Sequence, residues 1–208
     1  MFDKLFKKGA KKDEQSRKWL FGTMLAFGIT GLIASFTLAV EEFALLKDPN
    51  TVLSCSFNLV LNCATVMKTW QAGVFGFPNM YIGLMGFPMV IMIALLGLSK
   101  VKFPRWFLIG AQIGYVIFTL FAYWLFFSSV YVIQVLCPWC LVVTFSMTML
   151  TATITHYNLQ QNIFGFKKSV QKGIEQFLAK DYDKLIVAVW IVFLIALVFA
   201  KFGDSLFA

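Results

Sequence analysis

The sequence predicts an all-α membrane protein made of several crossing helices. Three observations carry that prediction. Hydrophobic residues make up 60% of the 208-residue chain and charged residues 13%, which is more apolar surface than a soluble domain of this length can bury. The apolar residues gather in runs close to the 20 or so that a helix needs to cross the hydrocarbon. Short segments of alternating hydrophobicity, which a transmembrane barrel requires, are absent.

In chain order, a basic stretch over residues 1–18 precedes the first expected span, Trp19–Val40. This span is too long for the core of a cleaved signal, and no small-residue cleavage site follows it before Glu41-Glu42, so it is expected to be retained. Residues 41–78 form a polar loop. Within it Val66, Met67, Trp70, Val74 and Phe75 recur at helical spacing, which predicts a short amphipathic helix over Ala64–Gly73, lying at the interface as an anchor or a lid. Gly73–Pro78 turns the chain back into a second span, Asn79–Leu98. Pro104 opens a third, Trp106–Phe127, and Ser128-Ser129 suit a tight turn into a fourth, Val130–Ile154. Residues 156–184 are the least apolar stretch and leave room for a surface helix before a fifth span, Leu185–Ala200. The tail Lys201–Ala208 is too short to fold, so any soluble redox domain is expected to be a separate protein.

Lysines and arginines set the orientation. Lys4, Lys7, Lys8, Lys11, Lys12, Arg17 and Lys18, then Lys100, Lys102 and Arg105, then Lys167, Lys168, Lys172, Lys180 and Lys184 all fall on one side if the N-terminus is inside. Only Lys47, Lys68 and Lys201 fall on the other. The loop over residues 41–78 is thereby expected outside. Topology and anionic lipid headgroups account for the net charge of +8, so no nucleic-acid partner is expected.

Four cysteines make two pairs, Cys55 with Cys63 in the loop and Cys137 with Cys140 in a Cys-Pro-Trp-Cys motif. On a helix the latter two share a face. Pro138 has no N–H, so the helix should kink or begin anew there. A turn at Ser128-Ser129 would put this pair on the order of 10–15 Å below the outer surface, at 1.5 Å per residue, a depth suited to a lipid-soluble electron carrier. Trp139 offers such a ring a flat wall. Thr69 and Asn79 could donate to its carbonyls, or could equally be caps. The loop pair is either a static disulfide or one half of an exchange relay with the second pair. Packing cysteines and a four-thiolate zinc site remain as alternatives. His156, the single histidine, is read as an interfacial residue without a catalytic role. Cys140 needs a lowered pKa to act, and a helix N-terminus at Pro138 is the candidate cause.

Cys55-x7-Cys63, Val66-Met67-Lys68-Thr69, Phe75-Gly76-Phe77-Pro78-Asn79 and Cys137-Pro138-Trp139-Cys140, in that order, resemble the vitamin K epoxide reductase family, in particular its bacterial homologues. The resemblance covers about residues 19–155. It implies a four-helix bundle around a quinone (menaquinone or ubiquinone) in a bacterial cytoplasmic membrane, together with oxidation of an extracytoplasmic thioredoxin-like (DsbA-like) partner in trans. By resemblance Cys55 exchanges with the partner, Cys63 passes electrons to Cys137, Cys140 faces the quinone, and Thr69 and Asn79 hydrogen-bond its head group; no metal is implied. The vertebrate enzymes carry a tyrosine four residues after the last cysteine, where this chain has Thr144. The unrelated disulfide-bond formation protein B family has its two cysteine pairs in the reverse order. The expected organisation is a basic N-terminus over 1–18, a catalytic bundle over 19–155, a cytoplasmic segment over 156–184, and a fifth span with its tail over 185–208. An outward carrier of reducing equivalents or a structural polytopic protein are the competing readings.

Overall fold

The computed structural model describes residues 2–206, with side chains described from Glu14 to Gly203. The side chains of Lys4, Lys7, Lys8, Lys11 and Lys12 and the end of the tail lie outside the described residues. The chain is all-helical. Its elements are α1 (Phe2–Lys47), α2 (Cys63–Met67), a 3-10 turn (Trp70–Gly73), α3 (Met80–Leu98), α4 (Arg105–Ser128) running into a π-helical turn (Ser129–Ile133), α5 (Pro138–Gln160), α6 (Lys168–Ala179) and α7 (Tyr182–Leu206). Among the described residues five of these, α1, α3, α4 with its π turn, α5 and α7, are long and apolar enough to cross a membrane.

The five spans read from the sequence recur, but α1 continues past both ends of its apolar stretch. Hydropathy marks the part of a helix that suits lipid; the flanking Lys, Glu and Gln residues are good helix formers that do not. Pro49 helps to stop α1 because the residue before a proline disfavours the α conformation. α6 fills the expected surface position, and its N-terminal basic residues follow the loop after α5.

The fourth span is corrected. No turn forms at Ser128-Ser129: the helix runs on through the π turn to Ile133, reverses at Gln134 with a left-handed φ of 57°, and restarts at Pro138. Proline is well placed at the first position of a helix, where its missing N–H has no partner to lose. Hydropathy could not see this, because Val130–Ile133 are as apolar as the span that follows. Cys137 and Cys140 therefore lie at the very start of α5, and the depth expected from the earlier turn does not apply. The short amphipathic helix over Ala64–Gly73 is likewise split, into α2 and the 3-10 turn, with Thr69 extended between them (ψ 153°).

In lipid no hydrophobic effect drives apolar helices together, so close packing and hydrogen bonds must do it. α1 packs on α3 and α5, and α4 packs on α5. Gly31 and Gly83 let α1 and α3 meet: a Cβ at Gly31 would overlap the Phe87 ring, and one at Gly83 would overlap Ser35. Between α4 and α5 runs a ladder of side-chain bonds. Gln112 Nε2 donates to Thr155 Oγ1 at 2.9 Å, Asn158 Nδ2 to Gln112 Oε1 at 2.9 Å, Thr119 pairs with Thr151 at 2.6 Å and Tyr123 with Thr148 at 2.8 Å. α7 joins the ladder through Trp190 Nε1, 2.8 Å from the Tyr123 hydroxyl. His156, expected at an interface, pairs through Nδ1 with Asp183 Oδ2 at 2.5 Å and ties α5 to the start of α7. Outward residues such as Ile33, Phe36, Val189 and Val192 are exposed and apolar, as a lipid-facing surface requires.

Candidate active site

The loop that follows α1 is tied down by backbone bonds at the point where the second cysteine pair begins. Asn58 Oδ1 accepts from the N–H groups of Val60 and Leu61 and closes a turn. Leu61 then pairs in parallel with Leu136 as an isolated bridge: Leu136 N–H donates to Val60 O at 2.7 Å, and Asn62 N–H donates to Leu136 O at 2.9 Å. Asn62 caps α2, its Oδ1 accepting from Thr65 N–H at 3.1 Å. A cysteine of the site follows each bridge residue, two positions on in one segment and one in the other: Cys63 opens α2, and Cys137 caps α5.

Cys55 and Cys63 form a disulfide, with Cα atoms 5.7 Å apart, and Cys137 and Cys140 are free thiols. Cys137 Sγ lies 3.2 Å from Cys63 Sγ, so a thiolate there faces a disulfide sulfur at contact distance. All four expected cysteines are thus brought together. A zinc site made of all four would need the two loop sulfurs as thiolates, whereas here they are bonded to each other.

Cys137, one residue before the α5 span, receives the helix N-terminus. Cys140 N–H points at its sulfur from 3.4 Å. The thiol of Cys140, with the backbone N–H groups of Cys140 and Trp139, holds the Cys137 thiol below its ordinary pKa, against burial and the nearby Glu41 carboxyl. The sequence reading gave this effect to Cys140. It falls on Cys137 because the helix starts one residue after it, and a cap side chain is the group that meets the free N–H groups.

Beyond Cys140 opens a cavity of about 310 Å³ between α1, α3, α4 and α5. Phe87, Tyr115, Phe121 and Met147 are among its mainly apolar walls, and Cys137, Cys140 and Asn79 border it. Asn79 Nδ2 donates to Gln71 O at 2.7 Å, while Asn79 Oδ1 and Gln71 Oε1 are buried without a protein partner. Thr144 also borders the cavity, its hydroxyl bonded to Cys140 O at 2.9 Å. Thr69 and Trp139 are not among the lining residues. The Thr69 hydroxyl donates to Val66 O at 2.7 Å, and Trp139 packs against the buried cluster around the cysteines.

Sequence reasoning missed Glu41, Ser54 and Gln71. Glu41 is buried beside the disulfide, with Ser54 Oγ donating to Oε1 and Oε2 2.7 Å from Cys55 Sγ. The available signal was an acidic residue at the end of an apolar span, since an ionisable group there needs a reason to stay.

Compared with known proteins, the chain matches the Vitamin K epoxide reductase family over residues 23–155. No curated protein and no solved structure matches it.

Proposed function

This chain belongs to the vitamin K epoxide reductase family, which makes it a multi-pass membrane thiol–quinone oxidoreductase, and from that premise we propose that it generates disulfides in an extracytoplasmic thioredoxin-like partner. The observation that carries the reading is the 3.2 Å approach of Cys137 to the Cys55–Cys63 disulfide, with Cys140 bordering the apolar cavity. In this reading the catalytic bundle is residues 19–155, set in a bacterial cytoplasmic membrane with the N-terminus inside and the loop over 41–78 outside.

A reduced partner attacks Cys55, and its disulfide exchange leaves Cys55 and Cys63 as thiols. Cys63 then attacks Cys137 in a Cys137–Cys140 disulfide and releases Cys140. Cys55 next attacks Cys63, which restores the loop disulfide and releases Cys137. The arrangement described above corresponds to the end of that sequence, with the loop oxidised and the second pair reduced. A membrane quinone, menaquinone or ubiquinone, supplies the sink for the two electrons and two protons of Cys137 and Cys140.

The cavity walls suit such a group: a mainly apolar chamber with two unpartnered buried amide oxygens fits a ligand with a flat apolar body and few polar atoms. Asn79 keeps one N–H for a carbonyl, and its free oxygen accepts from a hydroxyl. Cys140 completes the proposed quinone site from the cavity wall; the family resemblance adds Thr69 and the sequence reading adds Trp139, neither of which lines the cavity.

The test is quinone reduction by purified protein supplied with a reduced thioredoxin-like protein, in wild type, Cys55→Ala and Cys140→Ala. Turnover by wild type and loss in both variants supports the relay. An inert wild type across several quinones and dithiol partners refutes this direction of flow.

A further inference from the structure

Among the described ionisable groups within the helix spans, Glu41 stands against a reacting atom that the relay needs. We propose that Glu41 is the acid–base group of the loop pair: it takes the proton from Cys55 when Cys55 attacks Cys63, and returns it when Cys55 is next released by the partner. The assignment rests on the relay reading above.

The geometry suits this role. Glu41 is 7% exposed, near the end of α1. Ser54 Oγ donates to Oε1, which turns the carboxyl and directs Oε2 to Cys55 Sγ at 2.7 Å. Among the described residues no salt bridge reaches it. Leu38, Leu45 and Leu53 belong to the same buried cluster as the sulfurs, so the side of the carboxyl that meets Cys55 is shielded, while Ser54 on its Oε1 side is exposed. The groups that face the carboxyl are the Ser54 hydroxyl and the sulfurs of Cys55 and Cys63, with Cys137 farther off and Glu42 next in the chain. A carboxylate held within hydrogen-bond reach of a thiol is the arrangement that general-base catalysis requires.

The step balances. Cys55–SH, the Glu41 carboxylate and the Cys63–Cys137 disulfide become the Cys55–Cys63 disulfide, the Glu41 carboxylic acid and the Cys137 thiolate. One S–S bond breaks and one forms, with no net oxidation. The negative charge moves from the carboxyl to Cys137, where the N-terminus of α5 receives it. Afterwards the Glu41 carboxyl holds the proton beside the sulfur it came from, across the 2.7 Å between Oε2 and Cys55 Sγ. When a partner later expels Cys55 as a thiolate, that proton is in place to neutralise it.

The experiment needs neither quinone nor protein partner. Full-length purified protein is reduced, moved into mixed oxidised and reduced dithiothreitol, quenched in acid at intervals, alkylated and mapped for disulfide linkage by mass spectrometry. In Glu41→Gln we expect conversion of the Cys63–Cys137 linkage to Cys55–Cys63 to slow about a hundredfold near neutral pH, the typical size of a general-base contribution. The rate should recover toward wild type as pH rises and Cys55 ionises unaided. Ser54→Ala, which keeps the carboxylate, should slow it only a few-fold. A wild-type rate in Glu41→Gln, or a deficit equal at every pH, overturns the proposal and makes Glu41 a loop clip. Should the glutamine variant not fold, Glu41→Asp reads the same way: a deficit that pH removes supports the role, and a pH-independent one overturns it. Failed quinone reduction with intact exchange would sink the direction of flow alone, whereas a wild type that never forms the Cys63–Cys137 linkage sinks relay and proton role together.

Discussion

Cys63 has two sulfur neighbours, and the one to which it is bonded defines the state of the protein. It is joined to Cys55 and stands 3.2 Å from Cys137, so exchange needs only a small shift of one sulfur. Replacing Cys140 by serine removes the thiol that competes for Cys137. We expect the Cys140→Ser variant to accumulate the Cys63–Cys137 linkage, visible as a cross-linked peptide by mass spectrometry, with quinone reduction lost. A variant with only the Cys55–Cys63 bond and no trace of the cross-link would contradict the order of attack. At this scale the four cysteines were legible, since their spacing and grouping are chemical facts of the chain. Glu41 was not legible, because its partner Cys55 comes into contact only after the loop folds back on α1, and an acid at the end of a span reads as a boundary. Asn79 was found with its neighbourhood, but Gln71, whose carbonyl it binds, has no motif.

The elements position these residues through a two-bond bridge. Leu61 and Leu136 pair their backbones just before Cys63 and Cys137, so register in one segment sets register in the other. Leu136→Pro deletes the N–H that Val60 O accepts. Geometry lost by about 1 Å can cost on the order of a hundredfold in rate, so we expect at least a tenfold slower exchange between the pairs while the Cys55–Cys63 bond still forms. Quenched-flow alkylation measures both. Unchanged exchange would mean that the bridge is incidental. Helix existence was legible from apolar run length, and the restart at Pro138 from its missing N–H. The π turn and the reversal at Gln134 were not, because Val130–Ile133 suit lipid and helix equally well and the break falls at Gln134, ahead of the proline.

The whole molecule is a bundle of α1, α3, α4 and α5, with α7 fastened to its side. The family match stops at residue 155, and α7 is held by the pairs His156 with Asp183 and Trp190 with Tyr123 and by Phe202, which packs in a buried cluster with Phe126, Val130 and Leu136. Asp183→Asn removes a partly buried charge partner, a loss of roughly 1–3 kcal/mol. We expect a lower unfolding midpoint in a denaturing-detergent titration, with quinone reduction per folded molecule kept within about twofold. A large loss of turnover in folded protein would place α7 in the catalytic unit. The number of spans was legible at this scale because lipid imposes a minimum apolar length on each of them. The side contacts of α7 were not, since a lone histidine gives no hint of which acid it will meet.

The three sulfurs nearest the exchange are almost sealed: Cys55 is 2% exposed, Cys63 0% and Cys137 1%. A chain of thiols that moves electrons is vulnerable to leakage, because any stray thiol in the surroundings could discharge the oxidised end. Closure over the loop disulfide acts as insulation. In the proposed relay, only a protein able to prise the loop away from α1 would gain access to Cys55, so the same burial that shields the store also decides who is allowed to draw on it.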